Sequence, residues 1–91
     1  MEGHSHISTD VVARYAGDAA REVAGVTALV GRHGGVRVDG DAVTVHLAVA
    51  WGASIPAVGA RVQQRVADYL GRMTDVRPRS VDVVVEEIEE S

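Results

Sequence analysis

Histidine is the residue type in this chain best suited to acid–base or metal chemistry, yet its four copies follow no recognisable spacing. The 91-residue sequence has no cysteine, which excludes thiolate ligands, cysteine nucleophiles and disulfides. His4 and His6 lie in a small, polar N-terminal stretch, whereas His33 and His46 lie within patterned sequence. No serine or carboxylate stands at a spacing typical of a nucleophile or an acid–base pair. The sequence therefore predicts no enzyme activity, no metal site and no cofactor.

A glycine-rich loop at residues 31–35 offers a second kind of chemistry. Gly31, Arg32, His33 and Gly34 form a GxxG pattern with a basic residue, the type of loop with which KH domains hold single-stranded nucleic acid. That loop joins two helices in KH domains, whereas this one precedes a strand of alternating valines. The net charge of −4 also disfavours a polyanion. A glycine-rich turn is the favoured interpretation, and a KH-like RNA-binding module is the alternative hypothesis.

Three arginines recur at helical spacing in the second half of the chain. Arg61, Arg65 and Arg72 share one predicted helix face, and Asp68 lies near enough in sequence to neutralise part of their charge. A solvated helix face is the simpler interpretation of this stripe. The other is a site for an anion or for a partner protein.

Hydrophobic periodicity predicts the elements that must position these residues. Apolar positions at helical spacing, behind capping hydroxyls, predict helices over 9–23 and from Ile55 to Met73. A short extended segment is predicted for 26–30. Alternation around the turn at 39–41 predicts a hairpin whose second strand is 42–51, and a last strand is predicted for 80–86.

This order predicts an α+β fold, a small two-layer domain with helix–hairpin–helix–strand order. A right-handed crossover through the second helix would make the strands 42–51 and 80–86 parallel neighbours in a mixed β-sheet. Both helices would cover one face, formed in part by Val43, Val45, Leu47, Val49 and Trp51. The odd step from Val85 to Ile88 predicts either a bulge or the end of the strand near Glu86 and Glu87, and the acidic terminus is predicted to be solvated and partly frayed.

The second face of the sheet is predicted to lie open. Its centre would present small apolar residues, Ala48, Ala50 and Val84, with His46 beside them. Such a strip is either ordinary sheet surface or a surface for association. The candidate interaction residues are therefore Ala48, Ala50, Val84, His46, Arg61, Arg65 and Arg72.

Several short segments stand in an order typical of one bacterial family. They are Ile7-Ser8, Glu22-Val23-Ala24-Gly25-Val26, the Val43 to Val49 alternation, Trp51-Gly52, Ile55-Pro56, Val62-Gln63, Met73-Thr74 and Val81-Asp82-Val83. The chain resembles the alkaline shock protein family of Gram-positive bacteria, also called the envelope stress response family, over roughly residues 7–89. It departs from the family pattern at Trp51, where Tyr is more common, at Asp75-Val76 and at Asp82.

The resemblance implies a protein without known catalysis that serves cell-envelope homeostasis. It also implies self-association into a homo-oligomer and recruitment to the membrane through an anchored partner protein. We therefore expect a cytoplasmic assembly or scaffolding module, membrane-associated through a partner, with no direct membrane insertion. Its predicted organisation is a flexible tail at 1–6, a single domain at 7–89 and an acidic end at 90–91.

Overall fold

The structure is a computed structural model that describes residues 8–90; His4 and His6 of the predicted tail lie outside that range. The elements, in chain order, are α1 Thr9–Arg21, β1 Val26–Leu29, β2 Val36–Asp39, β3 Ala42–Ala50, α2 Ile55–Met73 and β4 Ser80–Glu89. A short 3-10 segment, Arg32–Gly35, lies between β1 and β2. The predicted α+β class and element order are confirmed.

Both helices begin at serine caps. Ser8 Oγ accepts a hydrogen bond from the Val11 N–H at 3.2 Å, and Ser54 Oγ accepts one from the Ala57 N–H at 3.3 Å. Each cap satisfies a backbone donor that the first turn leaves free. α1 ends at Arg21, two residues before the predicted end at 23.

β3 is the central strand of a mixed sheet. β4 pairs with it in parallel along one edge, from Ala42 beside Ser80 to Ala50 beside Glu89. β1 and β2 both pair antiparallel with its other edge, β1 beside 47–49 and β2 beside 42–45. β1 and β2 therefore form one edge strand, interrupted by the outward loop at 30–35.

The core lies between the sheet and the two helices. Val43, Val45, Leu47 and Val49 of β3 are buried there. They pack with valines and alanines of the helices, namely Val12, Ala16, Ala19, Ala20, Val58, Val62 and Val66, and with Leu70. The predicted alternation along β3 is confirmed up to Val49. The prediction that Trp51 joins this core is wrong, because β3 ends at Ala50 and the chain turns at Trp51 and Gly52.

β4 contains the predicted bulge. Val85 pairs with Leu47 and Glu87 with Ala48, so Glu86 is the extra residue. The insertion returns Ile88 to the face of Val49, its partner in register. The predicted fraying after residue 86 is wrong, because β4 continues to Glu89. The Glu89 carbonyl accepts a hydrogen bond from the Trp51 N–H at 2.8 Å.

Gly25, between α1 and β1, is required by both conformation and space. Its φ is +97°, and a Cβ there would lie 2.7 Å from Cγ2 of Val58 on α2. An alanine therefore meets backbone strain and a clash at the same position. We expect Gly25→Ala to lower the free energy of unfolding by about 2 kcal/mol or more, measured by urea denaturation.

Gly59, within α2, supplies the matched control for this change. A Cβ added there meets no atom within 4 Å. Because alanine has the higher helix propensity, Gly59→Ala should raise the free energy of unfolding by about 0.5–1 kcal/mol. Equal effects of the two substitutions would contradict the packing of Gly25 on Val58.

Candidate functional site

The open face of the sheet carries one side-chain pair between β3 and β4. His46 Nδ1 lies 2.8 Å from Glu86 Oε2, and both side chains are partly exposed. Glu86 is the bulge residue, so the irregularity of β4 brings its carboxylate to the imidazole. Within residues 8–90, neither side chain has a second hydrogen-bonded side-chain partner. The pair therefore lacks the nucleophile or orienting group that a catalytic relay requires.

The predicted apolar strip on the open face is narrower than expected. Val84 is 38% exposed and Ala50 is partly exposed, but Ala48 is fully buried. Ala48 lies in the central strand, paired with Ala28 of β1 on one side and with Glu87 of β4 on the other. The expectation that Ala48 offers accessible surface is corrected, because it cannot contact a partner directly.

Three large apolar side chains are exposed in the turn after β3, in the first turn of α2 and near the end of β4. Trp51 is 69% exposed and Ile88 is 49% exposed, and Ile55 of the first turn of α2 is also exposed. The hydrogen bond from Trp51 to Glu89 continues the β3–β4 ladder, so Trp51 lies beside the end of β4. We call Trp51, Ile55 and Ile88 the terminal apolar set.

Sequence reasoning missed this set because it extended β3 by one residue. Apolar alternation runs without a break from Val43 to Trp51, and it contains no sign that the strand ends before the tryptophan. Gly52, with a φ of +88°, was the available signal, because such a residue ends an extended run immediately after Trp51.

The arginine stripe of α2 lies on an exposed helix face. Arg65 forms an ion pair with Glu22, which follows α1, so this arginine links the two helices. Arg61 and Arg72 are exposed. Within residues 8–90, the carboxylate that forms an ion pair with the stripe is that of Glu22, whereas Asp68 forms no ion pair there. Both groups of this pair are about half exposed, so it contributes little to stability.

The glycine-rich loop at 31–35 interrupts an edge strand. It follows β1 and precedes β2, and it lines an open groove beside α1. A KH loop joins two helices, so the loop does not have the setting that the KH-like hypothesis requires. The KH-like interpretation is therefore not supported by the fold.

Residues 8–90 contain neither a candidate metal site nor a helix that could cross a membrane. No group of three or more histidine, aspartate or glutamate side chains is placed there to hold a metal ion. In the same part of the chain, no helix combines the length and the apolar character needed to cross a membrane.

Comparison with known proteins identifies one matching family. The model of the alkaline shock protein family, described as having a cell envelope-related function, matches residues 34–90, more than half of the chain. The curated proteins compared with the chain include no match.

Solved structures of the protein MamM-CTD share the fold. A histidine-to-alanine variant is 19% identical, with a TM-score of 0.57, and the match covers 90% of this chain and 100% of that one. The zinc form of an aspartate-to-asparagine variant is 18% identical, with a TM-score of 0.57 and coverage of 89% and 87%. The copper form of an aspartate-to-histidine variant is 18% identical, with the same TM-score and coverage of 90% and 100%. At this identity the likeness shows a common fold only.

The burial of Ala48 generates a prediction on stability. Ala48→Gln places a longer polar side chain in a filled position, so the free energy of unfolding should fall by about 2 kcal/mol or more. Ala50→Gln makes the same chemical change at a partly exposed position of the same strand and face. It should cost less than about 1 kcal/mol. Urea denaturation of both variants checks the pair, and equal losses would contradict the burial of Ala48.

Proposed function

The chain belongs to the alkaline shock protein family, and on that premise we propose that it is a non-catalytic assembly module of the cell envelope that associates with copies of itself. The observation that carries the proposal is the exposure of Trp51. The chain has only three aromatic residues; Tyr15 and Tyr69 pack against each other with ring centroids 5.8 Å apart, whereas Trp51 is 69% exposed. Tryptophan is among the residues most enriched at the energetic centres of protein interfaces.

Two other exposed apolar residues lie close to Trp51 in the sequence or in the sheet. Ile88 lies one residue before the hydrogen-bond partner of Trp51, and Ile55 begins the helix four residues after it. Single exposed apolar residues are ordinary on protein surfaces, and we propose that these three together form one patch. Burial of this patch against a second copy would remove it from water and supply the free energy of association.

Charge complementarity supports a contact between unlike surfaces of two copies. The end of β4 that carries Ile88 also carries the carboxylates of Glu87 and Glu89, and Glu90 follows the strand. Two such ends facing each other would place like charges together. The arginine stripe of Arg61, Arg65 and Arg72 has the opposite sign, so we propose that it receives the acidic end of a neighbouring copy.

The open face completes the proposed contact. Ala50 lies in register with the last residue of β4, and Val84 and His46 lie further along the same face. We propose that these residues form the border of the interface. Ala48 lies in the same strand but is buried, so it is not among the residues proposed to contact the second copy.

We further propose that a membrane-anchored partner protein brings the module to the cytoplasmic side of the membrane. The cell envelope-related function of the family supports this step. The absence of a catalytic role is part of the same proposal. It is supported by the isolated His46–Glu86 pair, which has no reactive group beside it in the described chain.

Removal of the indole tests the proposal on self-association. We expect the mass of the native protein in light scattering, coupled to size exclusion, to rise with concentration. Trp51→Ala should weaken this association about tenfold or more, because it deletes the largest exposed apolar side chain of the set. The fluorescence of Trp51 should shift to shorter wavelength as association buries the ring.

Met73→Ala is the matched control for this experiment. Met73 is an exposed apolar residue at the other end of α2 and is 49% exposed. Its loss should leave the association constant unchanged within about twofold. A protein that stays monomeric at every concentration, or equal losses from Trp51→Ala and Met73→Ala, would overturn the proposal.

Charge reversal on α2 tests the role of the arginine stripe. The double variant Arg61→Glu and Arg72→Glu should reduce self-association, and added salt should do the same in the native protein. Analytical ultracentrifugation measures both effects. Arg79→Glu makes one such reversal at an exposed position outside the stripe and serves as the control. If the double variant associates like the native protein, the stripe is a solvated helix face.

A further inference from the structure

We propose that the groove between α1 and the edge strand formed by β1 and β2 binds an extended acidic peptide segment of a partner protein. The segment would add to β2 as a further strand, with its carboxylates held by arginines of the groove. The groove lining includes His46, which the proposed self-association contact also uses, but none of the three residues of the terminal apolar set. The inference goes beyond self-association and does not depend on it.

The edge itself is the first observation. Within residues 8–90, β1 and β2 have a strand on one side only, which is β3. Alternate backbone N–H and C=O groups of an edge strand point outward and have no partner in the sheet. An extended peptide can satisfy them as an added strand, which is an established mode of peptide recognition.

The helix beside this edge gives the groove its shape. Residues of α1 at helical spacing line it, including Asp10, Arg14, Gly17 and Arg21. Gly17 brings α1 close to the sheet, because a Cβ there would lie 3.1 Å from Leu29 Cδ1. The glycine-rich loop also lines the groove, and its glycines do not fill it, since a Cβ at Gly31 or Gly34 would meet nothing within 4 Å. The groove is therefore open along the edge strand.

The charge of the groove identifies the chemistry of its occupant. Four of the nine arginines of the chain line it: Arg14 and Arg21 from α1, Arg32 from the loop and Arg37 from β2. The acidic lining residues are Asp10 and Glu86. Arg21 is paired with Asp18, and Glu86 is paired with His46.

Three arginines remain available for a ligand. Arg14, Arg32 and Arg37 are exposed, and they form no ion pair within residues 8–90. They come from three different elements around one groove, in a chain whose net charge is −4. Guanidinium groups bind carboxylates through two parallel hydrogen bonds, so acidic side chains of an extended peptide fit this arrangement.

A peptide fits the groove better than a nucleic acid does. Single-stranded nucleic acid is held by bases stacked on aromatic side chains, and the groove lining contains none of the three aromatic residues of the chain. Backbone pairing along β2, in contrast, uses the one hydrogen-bonding surface that the edge already presents.

Fluorescence anisotropy with a defined probe tests the inference. The probe is a fluorescein-labelled ten-residue peptide in which pairs of glutamates alternate with pairs of threonines, so that both faces of the extended chain carry carboxylates. We expect saturable binding to the native protein that weakens with added salt, and no binding of the same peptide with lysine in place of glutamate. Arg14→Glu and Arg37→Glu should each weaken binding about tenfold, whereas Arg79→Glu, outside the groove, should change it less than about twofold.

Backbone methylation of the probe tests the added strand separately from charge. Alternate N–H groups of the peptide would face β2, so N-methylation of one alternate set should abolish binding while methylation of the other set should leave it. Tolerance of both sets would overturn strand addition. So would absence of saturable binding, equal loss in Arg79→Glu, or tighter binding of an oligothymidine of equal length, which would assign the groove to nucleic acid. Urea denaturation of each variant verifies that it is folded.

Discussion

The fold depends on hydrogen bonding along both edges of β3. This strand pairs with β4 along one edge and with β1 and β2 along the other, and its Val43, Val45, Leu47 and Val49 supply the centre of the core. Both helices pack on that one face. The core is built largely from valine and alanine, and the chain contains no phenylalanine. Because these side chains are small, the helices and the sheet fill the core by packing closely together. Gly25 against Val58 and Gly17 against Leu29 are two places where a glycine permits such a close approach.

A single extra residue in β4 determines which of the following side chains lie on the open face. The bulge at Glu86 places its carboxylate beside His46 and rotates the rest of the strand by one position. Glu87 and Glu89 then share the open face with Ala48 and Ala50, while Ile88 lies on the helix side. The open face is therefore acidic beside the end of β3. The largest exposed apolar side chain, Trp51, follows in the next turn. Charge and apolar surface are thus separated at one end of the molecule.

Exposed apolar and charged side chains lie on several different elements of the molecule. Its one pair of acid–base side chains, His46 and Glu86, stands alone within the described chain, whereas apolar and charged groups are concentrated at distinct places. The apolar end, the arginine stripe of α2 and the basic groove beside α1 lie on different elements. That arrangement agrees with membership of a family with a cell envelope-related function.

The sequence by itself determined the element order, the buried face of β3 up to Val49, the parallel pairing of β4 and the position of an irregularity near Glu86, which the structure shows to be a bulge. These follow from local periodicity and from short-range rules of connection, which residues near each other in the chain express directly. Membership of the family was also readable from short segments along the chain. The tertiary structure alone decided that Trp51 is exposed, that Ala48 is covered, that Glu22 pairs with Arg65, and that four arginines line one groove. Each of these depends on which distant residues meet and on where a strand stops, and alternation of residue types contains no information on either.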